Sequence, residues 1–199
     1  FIPAANSDFV NVTLSSSNGK LKPAGLGIIT VSGTWNNSGG SAASFEGNFG
    51  TVAFDAGGAQ SLTSGGISFY NLSTSTSSTV VTIQDALIVS NNLTIAASTT
   101  LDAGSNQAIS VGRIWDNGNG GTFTSASGTV TFNGSLNQTI TTGGVGSGND
   151  FYNLTIANTG SPADPLDVET SGAIKVTGTL DVTDGQFMPA TSSEFLDVT

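Results

Sequence analysis

The chain has 199 residues, four Lys and Arg against fourteen Asp and Glu, a net charge of −10, and neither His nor Cys. Only 9% is charged while 37% is hydrophobic, which reads as a folded chain with an uncharged polar surface rather than a disordered one. Four scattered bases cannot track a phosphate backbone, absent thiols exclude disulfides and thiolate metal sites, and no apolar run reaches the ~20 residues of a membrane-spanning helix. The expected partners therefore include no nucleic acid and no membrane insertion.

The predicted elements are all strands. In chain order they are GIITVSGTW (27–35), GTVAF (50–54), FYNLSTS (69–75), TVVTIQ (79–84), ALIVSNNLTIA (86–96) and AISVGRIW (108–115). GTVTF (128–132), QTITT (138–142), FYNLTIA (151–157), AIKVTGTLDV (173–182) and EFLDVT (194–199) follow. They are short, rich in Val, Ile and Thr, and alternate apolar with polar residues. Between them stand turn signals such as Asn36-Asn-Ser-Gly-Gly, Asp55-Ala-Gly-Gly and Asp116-Asn-Gly-Asn-Gly-Gly. No stretch has helical periodicity.

The chain also repeats itself. Thr30–Gly40 (TVSGTWNNSGG) matches Ser110–Gly120 (SVGRIWDNGNG), and Gly50–Gly66 matches Gly128–Gly144. Each copy is followed by Phe-Tyr-Asn-Leu, and Trp35 and Trp115 hold the same place in the two copies, roughly eighty positions apart. The repeats run approximately over 29–108 and 109–188, and residues 1–13 are echoed by 187–199. Duplication without a linker, strands grouped between Gly/Asn corners and a sparse large-apolar content favour a solenoid, with a thin core spread along its axis. The expected fold is an all-β solenoid of about eight or nine coils, one continuous unit over 1–199. The alternative is two tandem antiparallel β-sandwich domains. Copying a phrase such as FYNL is expected to place like residues at equivalent positions of later coils.

The phrase GTVTFNGSLNQTITTGG, followed by DFYNLTI, resembles the strand repeats of large bacterial cell-surface and secreted proteins, autotransporter passengers and filamentous-haemagglutinin-like adhesins among them. The resemblance implies that the solenoid is a right-handed parallel β-helix, and it implies export from the cell and a role as stalk, adhesin or envelope layer. It carries no catalytic residue across.

The chemistry left to the chain is limited. Without His or Cys, the common nucleophile–base pairs are missing. The carboxylates Asp55, Asp102, Asp116, Asp164, Asp167 and Glu169 are candidates for polysaccharide cleavage, but Asp55 aligns with Asn133 and Asp116 with Asn36, as turn residues would. No catalytic residue and no cofactor is expected. Calcium is a candidate at the Gly-rich Asp116–Gly121 loop, through Asp116, Asn117 and Asn119, although that loop lacks the spacing and closing Glu of an EF-hand. Trp35, Trp115, Tyr70 and Tyr152 are candidate platforms for stacking a glycan. Seven Asn-x-Ser/Thr sites (Asn11, Asn36, Asn71, Asn92, Asn133, Asn137 and Asn153) matter only where the source glycosylates. Phe1, Pro3 and Phe9, with their echoes Phe187, Pro189 and Phe195, are candidates for an assembly interface, since an open solenoid end invites another strand. The expected function is a secreted or cell-surface structural or adhesive repeat protein, a segment of a longer array or a subunit assembling end to end. The alternatives are a carbohydrate-binding module and, behind it, a polysaccharide-active β-helix enzyme.

Overall fold

The structure, a computed structural model, describes residues 1–3, 5–16, 18–160 and 167–199. Its strands form three sheets, of nine, six and seven strands, and every strand pairing is parallel. The chain visits them in rotation, so each sheet is one face of a three-sided coil. Face 1 is the nine-stranded sheet, from Asn6–Phe9 through Ile28–Val31, Thr51–Phe54, Asn71–Thr74, Asn92–Ile95, Ile114–Asp116, Gln138–Thr141 and Asp167–Thr170 to Gln186–Met188. Face 2 holds Val12–Thr13, Thr34–Asn36, Gly58–Thr63, Thr79–Ile83, Thr100–Asp102 and Thr122–Thr124. Face 3 holds Ser68–Phe69, Leu87–Val89, Ile109–Val111, Thr129–Phe132, Asn153–Ala157, Lys175–Asp184 and Glu194–Val198. Nine strands on face 1 are eight steps, so the solenoid makes about eight turns. Among the described residues no strands pair antiparallel, and the sandwich alternative falls.

The core follows from side-chain alternation. Parallel strands stack ~4.8 Å apart, and every second residue points inward. On face 1 the inward column runs Ile29, Val52, Leu72, Leu93, Trp115, Ile140. On face 3 it runs Leu87, Ile109, Val130, Leu154, Leu180, Val198. All but Val198 are buried, and they belong to one continuous apolar cluster. At ~1.5–3 kcal/mol for each fully buried aliphatic side chain, this column stack is the main favourable term.

The duplication does not stack as expected. Trp35 lies on face 2 and Trp115 on face 1; Asn71–Thr74 lies on face 1 and Asn153–Ala157 on face 3. The reason is length. The Thr122–Thr124 strand is four steps along face 2 from Trp35's strand, and Trp115 comes one face before it, so 3⅔ turns separate the tryptophans. One turn takes roughly 22 residues, the separation between Ala96 and the Thr74 hydroxyl one coil below it. The repeat is therefore not a whole number of turns. Like residues are turned by one face and do not stand in one column.

Candidate functional site

The two copies build the same buried object on different faces. Trp35 packs edge-on to Phe45 (5.0 Å between centroids, 86°) and Phe69 (5.2 Å, 66°). Trp115 does the same with Phe123 (4.7 Å, 76°) and Phe151 (5.2 Å, 63°). Both indoles are fully buried, as are Phe69 and Phe151. Edge-to-face rings complement the positive rim of one with the negative face of the other. The tryptophans thus have no face to offer a sugar, and the stacking platform expected at Trp35 and Trp115 is corrected to core packing. Tyr70 is half-buried against exposed Phe49 (5.0 Å, 76°), and Tyr152 is exposed. They stand at different corners of the coil, so they form no common stripe.

The Asp116–Gly121 loop is likewise occupied with its own fold. Asp116 Oδ1 accepts the Gly118 N–H at 3.0 Å. The Asn117 side chain is buried, its Oδ1 accepts the Trp115 indole N–H at 2.8 Å, and its Nδ2 donates to the Gly121 carbonyl at 3.4 Å. Asn119 lies exposed on the loop. Of the oxygens considered for calcium, that of Asn117 is engaged by the indole N–H and Asp116 Oδ1 by the Gly118 N–H.

Three other carboxylates do similar work. Asp102 Oδ1 accepts the Gly104 N–H at 2.9 Å, and Asp150 Oδ1 accepts that of Gly146 at 2.7 Å. Asp85, which the sequence reading passed over, clamps the Ser64 and Gly65 amides, one with each oxygen, at 2.7 Å. Asp164 lies outside the described residues, and among the described residues no three His, Cys, Asp or Glu side chains gather as a metal-binding cluster would.

The corners hold the feature that sequence reasoning missed. Phe9-Val-Asn11-Val, Phe69-Tyr-Asn71-Leu and Phe151-Tyr-Asn153-Leu are one motif. Asn11 turns the chain from face 1 to face 2, Asn71 from face 3 to face 1, and Asn153 onto face 3. In each, the Asn Oδ1 accepts the backbone N–H of the residue stacked one turn above: Thr34 at 2.8 Å, Asn92 at 3.3 Å and Thr179 at 3.0 Å. The geometry also explains two glycines. A Cβ on Gly33 or Gly178 would lie 2.5 Å from the oxygen of Asn11 or Asn153, so a side chain there would collide with the capped corner. At the third corner Asn91 occupies that place and donates its Nδ2 to Asn71 Oδ1 at 2.8 Å. One motif thus serves all three corners, and the signal was visible in the shared Phe-x-Asn spacing.

The two ends of the solenoid are where inward positions lie uncovered. At the first, the Phe1 ammonium donates to the Lys20 carbonyl and the Phe1 carbonyl accepts from the Lys22 N–H, so Phe1 stacks below Leu21. Phe1 is 77% exposed, Phe9 half-buried and Pro3 buried. Phe1, Phe9, Val12, Leu14 and Leu21 line a hollow of about 380 Å³ at this end. At the other end Phe187 and Phe195 pack on one another (6.1 Å, 73°), both half-buried, with Pro189 exposed. Ion pairs mark the same two ends. Lys22 and Lys20 both bind Glu46, at 2.6 and 3.2 Å, and hold its carboxyl below the usual carboxylate range, Lys22 contributing more. Glu194 binds Lys175 at 2.8 Å and raises its ammonium above the usual lysine range.

No protein-family model, curated protein or solved structure matches the chain.

Proposed function

We propose that the chain is an extracellular structural or adhesive repeat protein of the kind found at bacterial surfaces, a rod whose coils continue end to end onto a neighbouring unit. The observation that supports this reading is the build of the two outermost described coils: inward-pointing Phe1 and Val198 are 77% and 60% exposed there, and a further coil, of the same polypeptide or of another, would cover them. Unpaired parallel edges present backbone donors and acceptors together with an apolar core, and both are satisfied by another coil. A contact between two different ends is heterologous and propagates instead of closing. The sides support the same role, since uncharged Thr, Ser and Asn dominate them and the acidic side chains described above serve turns and coil-to-coil contacts. A glycan-binding role has lost its two largest aromatic residues to the core.

The test is sedimentation velocity over a wide concentration range, with negative-stain electron microscopy of the same samples. Concentration-dependent growth into filaments one solenoid wide is expected. A monodisperse rod about eight turns long at every concentration, or side-by-side association alone, overturns the proposal.

A further inference from the structure

We infer that successive copies of this chain stack head to tail with each turned by one third of a revolution, so that residues 1–13 of one copy settle on residues 187–199 of the copy before it. The inference rests on the end-to-end reading above and specifies its geometry.

The echo between the ends is collinear over thirteen residues: Phe1, Pro3, Phe9, Asn11 and Val12 match Phe187, Pro189, Phe195, Asp197 and Val198. Like the internal repeat, it is turned. Phe9 is on face 1, just before the corner to face 2. Phe195 stacks on Val176, which stacks on Phe151; Val176 and Phe195 begin strands of the face 3 sheet but precede the register shift after Val176 at which those strands turn onto face 3 proper. That column continues face 2, because the Phe123 N–H donates to the Gly148 carbonyl at 2.7 Å and the Phe123 and Phe151 rings lie 6.0 Å apart. Phe187 is on face 1, whereas Phe1 lies below Leu21 and Phe45, one face earlier. The echo therefore spans eight turns and one face.

Rotation by that one face brings like onto like. The next copy's Phe1 comes above Phe187, its Phe9 above Phe195 and its Val12 above Val198. All six are inward positions, so each apolar column continues across the joint. The hollow lined by Phe1, Phe9 and Val12 receives the Phe187–Phe195 pair. The path of the chain agrees: it finishes on face 3, and the next position in the winding is face 1, where the turned copy places Phe1. Without rotation, Phe1 would come back over face 3, and faces 1 and 2 of the intervening coil would be empty.

The corner chemistry points the same way. Asn11, Asn71 and Asn153 each accept the amide of the residue directly above. Asp197 holds the equivalent place in Phe195-Leu-Asp197-Val, and its strand is the last of face 3 among the described residues. In the turned stack the residue above Asp197 is Asn11 of the next copy, whose N–H meets a carboxylate oxygen where an amide oxygen serves inside the solenoid. Charge-assisted bonds of this type are the stronger ones.

The experiment is helical reconstruction of the assembled filaments by cryo-electron microscopy, paired with disulfide trapping in this cysteine-free chain. The expected symmetry is a rotation near 120° beyond whole turns and, at ~4.8 Å per coil, a rise of about 45 Å per copy. The double variant Asp8→Cys/Glu194→Cys is expected to give a ladder of linked copies on a non-reducing gel. Asn6→Cys/Met188→Cys, which joins the two ends of one face 1 column, is expected to stay single. Filaments without the rotation, in which Asp8→Cys/Glu194→Cys also stays single, overturn this inference and leave end-to-end assembly standing. No filaments and no ladder in either variant overturn both.

Discussion

The two aromatic trios are the same shape in two polar settings. Around Trp115 the indole N–H is bound by Asn117 at 2.8 Å. Gln138 donates to the Val111 carbonyl at 2.8 Å and accepts from the Gly134 N–H at 3.0 Å and from Asn158 at 2.9 Å. Around Trp35 the residues correspond, and Gln60 likewise donates to the Val31 carbonyl at 2.8 Å. Yet Trp35 Nε1, Asn37 Oδ1 and Gln60 Oε1 are buried without a hydrogen-bond partner among the described residues. The glutamine difference has a visible origin: Asn158 of the second copy stands where the first has Thr76. The repeat therefore transmits ring packing intact and polar satisfaction only in part. Packing is what the coil needs on any face, whereas each buried polar atom depends on one particular neighbour.

The comparison can be broken most forcefully at the rings. Trp35→Ala and Trp115→Ala should each cost about 3–5 kcal/mol in urea unfolding, since each removes the hub of a trio. Equal tolerance of either change would show that the trios do not organise the coil. Trp→Phe separates them. Trp115→Phe leaves the buried Asn117 oxygen unpaired, a penalty of ~1–3 kcal/mol, while Trp35→Phe removes a donor that already lacks an acceptor. The Trp115 variant should be the less stable of the two, and the reverse order would contradict the asymmetry. The corners should behave alike despite lying between different faces. Asn11→Ala, Asn71→Ala and Asn153→Ala each strip one acceptor from a backbone N–H, at about 1 kcal/mol, read from urea midpoints and from faster exchange of the Thr34, Asn92 and Thr179 amides.

The smallest effects lie in the exposed ion pairs, and they have opposite signs at the two ends. The Glu46 carboxyl is lowered, so what it contributes is present above the ordinary carboxylate range and is lost as pH falls through its folded pKa. The Lys175 ammonium is raised, so its contribution is complete below the ordinary lysine range and is lost as pH rises through its folded pKa. Acid should loosen the coil pair joined by Glu46, and alkali the pair joined by Lys175. The urea-midpoint deficit of Glu46→Gln should vanish in acid, that of Lys175→Met should vanish in alkali, and salt should shrink both.

Much of the fold was legible because its pattern has a period of two. Val, Ile and Thr runs marked most strands, but GIITVSGTW, ALIVSNNLTIA and AISVGRIW, read as single strands, each bend at a corner into two. Continuous alternation hides a corner, since the inward residues resume on the next face. Gly58–Thr63, Thr100–Asp102 and Thr122–Thr124 were missed because they are short or carry few β-branched residues, and the strands paired with them hold them as strands. The turned repeat was computable from the spacing of the tryptophans only once the length of a coil was known, and insertions such as Gly144–Asp150 blur that length. The burial of both tryptophans could not be read from Trp alone, because a residue that stacks on a sugar and one that fills a coil have the same alternation. Asn117 looked like a cation ligand for the same reason: the sequence shows its amide oxygen but not the indole that binds it.

The most direct measurement is a pair of engineered disulfides around Asp116. If the second copy is turned by one face, Asp116 stacks on Thr94 in the nine-stranded sheet, and Asp102 stacks under Thr124 in another. Cysteines on neighbouring parallel strands are within bridging distance, roughly 4.4–6.8 Å between Cα atoms. Thr94→Cys/Asp116→Cys should oxidise within the monomer, and Asp102→Cys/Asp116→Cys should remain reduced. Closure of the second pair and not the first would place both tryptophans on one face and contradict the account.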